Sequence, residues 1–300
     1  MSDGQFDVTF GTNGIRTWNP FNIYGNYTQE AKLLDDGKII MAGYLFYDNG
    51  TARAFAARLN ADGTDDTTFG SNGYAVIEDA GNNVVEALAI QSDGKLVLVG
   101  YKTVEGPHDM MLVIRLSPDG QLDSSFGTNG ILSFSIPDSP DANAYNVDVQ
   151  SDGKIVVFGT HSPQNSSQRS VVVRLNPDGS FDTSFGENGV FTLLCDKDAA
   201  NYLYDLKISS DSKLYGMGHI TDNVYSNLVV ISLTLEGKLN NAFDGDGVAF
   251  VDLDGGVATS RFLEIQPDGK LLAGGWFSPK GDHYHSFPIM ARCIRNPVFH

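Results

Sequence analysis

The chain has 300 residues, with 37 acidic side chains against 20 basic ones and a formal net charge of −17. That balance argues against nucleic acid and anionic membrane surfaces as partners, since both require basic patches, and no apolar run approaches the roughly 18 residues of a membrane span. Apolar content of 41% suffices for a core, while 33 glycines and 11 prolines point to many turns and an aromatic share of 11% fits strands.

The opening residues MSDGQFDVTF have neither a basic n-region nor an apolar h-region, so no signal peptide is expected, and the compartment stays open. Within them begins a phrase that the chain spells five times. FDVTFGTNG from Phe6 returns as DDTTFGSNG from Asp65, LDSSFGTNG from Leu122 and FDTSFGENG from Phe181, then weakens to LNNAFDGDG from Leu239. Its phenylalanine falls at Phe10, Phe69, Phe126, Phe185 and Phe243, with gaps of 59, 57, 59 and 58. A second phrase, DGK plus an apolar run ending in glycine, starts at Asp36, Asp93, Asp152, Asp211 and Asp268. A third, RLNPDG at Arg174, has relatives at Arg58 and Arg115 and weakens to SLTLEG at Ser232.

Between these phrases the apolar residues alternate or run for four to six positions, which reads as short strands and tight turns. In the third period strands are expected near 145–150, 154–160, 170–176 and 190–194, with SDGK and NPDG as the turns. Four antiparallel strands per period, repeated, is the composition of a propeller blade. The expected fold is therefore an all-β, five-bladed β-propeller in a single domain. Its blades span about 21–79, 80–136, 137–194, 195–253 and 254–300, the last completed by an outer strand from residues 1–20. The two cysteines, Cys195 and Cys293, occupy non-equivalent places in the pattern and are expected to be separate thiols.

The phrase RLNPDGSFDTSFGENG, with DGK about 22 residues before its arginine, resembles the bacterial delta-60 repeat family, and the layout is similar to NHL-type blades. The resemblance implies a propeller-like scaffold and makes a cell-surface or extracellular location plausible. It supplies no catalytic residues.

The repeats serve as their own comparison set. Arg58, Arg115, Arg174 and Arg292 share one position, and Asp66, Asp123, Asp182 and Asp7 share another; the fourth period has Ser232 and Asn240 instead. Arg174 and Asp182 flank a turn, so each blade's third and fourth strands are expected to be tied by this pair, with Asp7 meeting Arg292. The repeated phenylalanine should pack between blades.

Function is then sought in what does not repeat. After each strand-ending glycine stand Tyr44, Tyr101, Thr160, His219 and Trp276, opening varied connections that also hold His161; Trp18 lies in another. Rings with amides and imidazoles suit sugar, so Trp18, Tyr44, Tyr101, His161, His219 and Trp276 are the expected ligand contacts of a non-catalytic glycan-binding module. A protein-docking platform on the same face is the alternative. A second alternative is a glycan hydrolase or lyase using the innermost-strand acids Glu86, Asp148 and Asp205, with Glu30 and Glu264 the other acids of those strands. Metal signals are weak: His283 and His285 at strand spacing, and Asp244 and Asp246 in a partial calcium-loop pattern, where Asp244 more simply fills a turn position that glycine holds elsewhere. No cofactor is expected beyond the possibility of calcium, and a monomer is plausible.

Overall fold

The computed structural model describes residues 4–18, 23–103, 108–164, 166–194, 199–221, 226–251, 253, 255–281 and 285–293. The chain divides into two compact units, residues 1–134 and 135–300.

The first unit holds two four-stranded antiparallel meanders. One runs β1 (Gly25–Leu33), β2 (Ile39–Phe46), β3 (Ala52–Leu59) and β4 (Tyr74–Val76); the other runs β5 (Asn82–Ile90), β6 (Leu96–Thr103), β7 (Asp109–Leu116) and β8 (Ile131–Phe134). The second unit holds a third such meander, β9 (Asp141–Val149), β10 (Ile155–Ser162), β11 (Arg169–Leu175) and β12 (Val190–Thr192). A seven-stranded sheet follows, containing β13 (Ala200–Ile208), β14 (Leu214–Thr221), β15 (Ser226–Leu233) and β16 (Val248–Val251), then β17 (Val257–Ile265), β18 (Leu271–Ser278) and β19 (Phe287–Cys293). Those last two groups join through the parallel pairing of Ser226 with Val257. All-β architecture and repeated four-stranded sheets are as the sequence period indicates. Among the described residues near the N-terminus, 16–18 lie in no strand, and Thr12 and Ile15 form an isolated bridge.

Middle strands such as β7, DMMLVIRL, carry an unbroken apolar run, here residues 110–114, because they are covered on both faces. In the first unit, Ile40, Ala54 and Ala56 of the first meander pack with Phe69 and with Leu88, Leu98 and Leu112 of the second. In the second unit, Phe158, Val172 and Phe185 meet Leu203, Val229 and Ile231.

The recurring phrase is a strut between neighbouring meanders. Arg58 Nε donates to Asp66 Oδ2 at 2.6 Å, its Nη1 donates to the Pro118 carbonyl of the next meander at 2.6 Å, and its guanidinium lies 4.8 Å from the Phe69 ring centre. Arg174 repeats this with Asp182, the Leu235 carbonyl and Phe185, and Arg115 pairs with Asp123 over Phe126. The lysine of DGK joins each carboxylate: Lys38 to Asp66, Lys95 to Asp123 and Lys154 to Asp182. Burial pushes these carboxyls up, but hydrogen bonds from the lysine and the Thr or Ser two residues on, with the arginine, outweigh it and hold all three well below the ordinary carboxylate range.

Phe69 and Phe185 also dictate a neighbouring turn residue. A Cβ on Gly120 would meet the Phe69 ring at 2.9 Å, and one on Gly237 would meet Phe185 at 2.7 Å. In the fourth period the pair becomes neutral, with Asn240 Nδ2 donating to Ser232 Oγ at 3.2 Å, and Tyr215 stands edge-on to Phe243 where other repeats place an arginine. Asp244 has φ of 49° where Gly11, Gly70, Gly127 and Gly186 have 52–56°, so it does fill the turn position glycine holds elsewhere. Asp7 is exposed and accepts from the amide and hydroxyl of Thr9. Cys293 is a free thiol, raised by burial; Cys195 lies outside the described residues.

Candidate functional site

Strands β2, β6, β14 and β18 do not stop at the glycine that closes the DGK phrase; each runs three residues further. Opposite that glycine the innermost strand is bulged, skipping Gln29 in β1, Glu86 in β5, Tyr145 in β9, Tyr204 in β13 and Arg261 in β17. The bulge drives a carbonyl toward the glycine: a Cβ on Gly43, Gly100, Gly218 or Gly275 would sit 1.9–2.0 Å from the oxygen of Tyr27, Val84, Tyr202 or Thr259. The glycine is therefore a steric requirement of the bulge, and not a strand end.

A bulge re-aims one side chain, and here it does so at the same place in every period. In the second unit this gathers rings. Tyr204 lies 6.4 Å from both Tyr145 and Tyr202, and His219 sits 5.1 Å from the Tyr202 ring and 5.5 Å from that of Tyr204. The Arg261 guanidinium covers Trp276 at 4.3 Å. Burial pulls His219 down to about 4, and the Arg261 charge adds to the effect, so its imidazole is neutral near pH 7. Burial pushes the Tyr204 hydroxyl up, with Tyr145 and Tyr202 adding to it and Arg261 opposing, so it keeps its proton. In the first unit Gln29 Nε2 donates to Glu86 Oε2 at 2.8 Å, and burial raises the Glu86 carboxyl. Tyr27 stacks on Tyr44 at 4.9 Å, and burial followed by the Glu86 charge raises the Tyr44 hydroxyl.

The rings expected to contact sugar are held in different surroundings. Trp18 is packed into a core cluster, stacked on Phe55 at 5.0 Å and tilted against Tyr74 at 5.1 Å. His161 is 5% exposed, with neither ring nitrogen hydrogen-bonded among the described residues, and burial then the Arg169 charge pull it down to about 4. Tyr44 and Tyr101 are half-buried members of β2 and β6, facing Tyr27 and Val84 in register. Trp276 is 37% exposed and carries Arg261 on its face.

The inner-strand acids divide. Asp205 accepts from Asn146 Nδ2 and the Leu206 amide on one oxygen and from the Leu263 amide on the other; burial still raises its carboxyl. Asp148 takes the Val149 and Ile208 amides, and Glu30 takes the Leu88 amide, so these acids tie one inner strand to the next. Lys207 pairs with Glu264 at 3.4 Å. Asp246 closes its turn through the Val248 amide; His283 lies outside the described residues, and His285 joins no metal-competent cluster among those described.

Residues 34–69, 91–126, 150–185 and 266–282 match the family model described as "Domain of unknown function (DUF5122) beta-propeller". These four stretches are similar to beta-propeller repeats. The kinship expected from the recurring phrases stands at that level, although the matching description is not the delta-60 one, and the weak fourth period carries no match.

No curated protein matches the chain. Among solved structures it is similar to the polysaccharide lyase Uly1, at 12% identity over 89% of this chain and 77% of that one, with a TM-score of 0.45. A mannose phosphorylase from Leishmania mexicana aligns at 12% identity over 88% and 82% with a TM-score of 0.43. A gluconolactonase from Xanthomonas campestris does so at 13% over 87% and 80% with a TM-score of 0.41. Likeness at this level concerns the fold and assigns no activity. The expectation of a non-catalytic glycan-binding module is corrected on the rings it rested on: His161 and His219 are buried, Trp18, Tyr44 and Tyr101 are half-buried, and Arg261 covers the face of Trp276.

Proposed function

We propose that this propeller is a glycan-active enzyme of the lyase type, working at the Tyr204, His219 and Arg261 face of the second unit on a polysaccharide that carries carboxylates. One observation carries the reading: a neutral imidazole, a protonated phenol and a guanidinium converge on the bulged inner strands and their partners. β-Elimination from a uronate needs a charge to offset the carboxylate, a base and an acid, and these three groups fit those roles. Arg261 offsets the sugar carboxylate, which acidifies the adjacent C–H; His219 takes that proton; the bond from the neighbouring carbon to the glycosidic oxygen breaks as the carbon–carbon double bond forms; Tyr204 returns a proton to the leaving oxygen. Atoms balance without water or an oxidant. A bound carboxylate also cancels the Arg261 charge that helps hold His219 low, so substrate itself raises the basicity of the imidazole.

The test is incubation with polygalacturonate, alginate and a neutral glucan, following the ultraviolet absorbance of unsaturated uronate ends. Product should form from a polyuronate alone and be lost in Tyr204→Phe and Arg261→Met. Absence of product from every polyuronate, or an undiminished rate in Tyr204→Phe, sinks the reading. A second reading rests on Glu86, whose raised carboxyl beside Tyr44 suits a general acid for hydrolysis. It would release reducing ends without unsaturation and fail in Glu86→Gln. The finer description of the scaffold, five blades with the three-stranded last one completed by residues near the N-terminus, is part of the same proposal and rests on the five periods.

A further inference from the structure

Arg261 differs from most arginines of the chain in what holds it. Arg58, Arg115 and Arg174 are locked into struts by carboxylates, Arg16 pairs with Asp65, and Arg53 meets Glu78. Arg261 is exposed and makes no hydrogen bond or ion pair among the described residues, and Glu264, the nearest acid in sequence, is taken by Lys207. Its contact is the Trp276 ring, 4.3 Å from the guanidinium carbon to the ring centre. In a chain with 37 acidic side chains against 20 basic ones, this guanidinium keeps its donors open to an anion from outside.

The two partners are unequal in freedom. Trp276 lies in β18, the middle strand of β17–β19, with its backbone paired to Thr259 on one side and Pro288 on the other. Arg261 is the residue that the β17 bulge skips, and its charge sits at the end of a long, exposed side chain. The fold brings such residues together elsewhere too: Tyr204 and His219, likewise fifteen residues apart, lie 5.5 Å ring to ring. The equivalent pairs are Gln29 with Tyr44, Glu86 with Tyr101 and Tyr145 with Thr160, so a cation meets an indole in the last period alone.

We propose that Trp276 is a positioning residue, which holds the Arg261 guanidinium over the site as a ready-made anchor for the sugar carboxylate. This rests on the reading of Arg261 as the group that offsets a uronate. The indole takes the flat face of the guanidinium and leaves its in-plane N–H groups for two carboxylate oxygens. An arginine already confined in this way loses less freedom when the carboxylate arrives. A lysine has no plane to lay on the ring, so the pairing selects arginine.

The place of the guanidinium can be read without substrate, because its charge helps to hold His219 low. Tyr202 and Tyr204 are the other titratable groups against that imidazole. The His219 ring signals, assigned by their loss in His219→Gln, are titrated by NMR in the folded full chain and in its variants. Arg261→Met should move the His219 midpoint up, Trp276→Leu should reproduce at least half of that rise, and Trp276→Phe should give little of it. In the Arg261→Met background, Trp276→Leu should add nothing. An unmoved midpoint in Arg261→Met or Trp276→Leu, or an effect of Trp276→Leu that persists without Arg261, overturns the proposal. Galacturonate should bind Trp276→Leu about two- to fivefold more weakly than the unaltered chain, with Trp276→Phe close to it; equal binding by Trp276→Leu also overturns it. An unaltered chain that binds no galacturonate and cleaves no polyuronate refutes the lyase reading instead, and the His219 titrations still decide whether the indole holds the arginine.

Discussion

Asp182→Ala removes the shared acceptor of the strut in the third meander. The Arg174 and Asp182 side chains are 5% and 8% exposed, so the substitution leaves a guanidinium buried with its Leu235 carbonyl and the Phe185 ring but without a counter-charge. Breaking a buried pair on one side costs about 3–5 kcal/mol. For a unit of this size each kcal/mol lowers the unfolding midpoint by about 2–4 °C, so a fall of roughly 10 °C is expected. The fourth period provides the control, because Ser232 and Asn240 fill both positions there without charge, joined by the same backbone bond from the Asn240 amide to the Ser232 carbonyl. Copying it, as Arg174→Ser with Asp182→Asn, forfeits the contact over Phe185, worth about 0.5–1 kcal/mol, and the bond to Leu235, but strands no charge. The double variant should therefore fall by less than the single one. Thermal unfolding by circular dichroism, with hydrogen exchange of the β11 amides to localise the loss, gives the comparison. A double variant as unstable as Asp182→Ala would refute the reasoning, since the cost would then lie in packing and not in an unpaired charge.

Three further outcomes are expected. Gly100→Ala places a methyl 2.0 Å from the Val84 oxygen and should cost at least about 3 kcal/mol, read from the thermal midpoint; a loss under about 1 kcal/mol would mean the bulge is dispensable. His161 falls from its ordinary 6.5 to about 4 through burial, so the unfolded chain binds the extra proton between those values. Stability from this group is full above about 6.5 and lost as pH falls toward 4, on the order of 3 kcal/mol in all, and His161→Leu should flatten that part of the pH–stability curve. Asp244→Gly should leave the fold intact and raise stability by up to about 1 kcal/mol, because a left-handed backbone is cheaper for glycine; a loss of stability would show that the carboxylate has a further task.

The scaffold was legible because its constraints recur. Phe69, Phe126 and Phe185 are wholly buried, and Arg and Asp eight residues apart meet across a turn each time. A chain that repeats a packing solution repeats the residues it needs, so comparing periods substitutes for comparing relatives. The lysine of DGK was assigned to a turn, yet its amine reaches 28 residues along the chain to the same aspartate. No spacing rule within one hairpin reports a contact that spans three strands.

The candidate site was harder to read for a reason that the bulge supplies. Alternation along a strand places every second side chain on one face, and one inserted residue breaks that count while leaving the apolar pattern on either side intact. Nothing in the local pattern sets Tyr204 and Arg261 apart from other inner-strand residues, and the residues that follow the glycine belong to strands as well. The signal was nonetheless present. Gln29, Glu86, Tyr145, Tyr204 and Arg261 each precede the glycine of the next DGK phrase by 14 residues. A glycine ending an apolar run marks either a turn or a close backbone approach, and only the second demands a bulge opposite. The five bulged residues comprise an amide, a carboxyl, two phenols and a guanidinium, although the glycine beside them does not vary. A position held rigid by backbone sterics but free in side chain is where a repeat scaffold can carry chemistry without disturbing its own packing, and the amide, carboxyl, phenol and guanidinium groups found there occupy it.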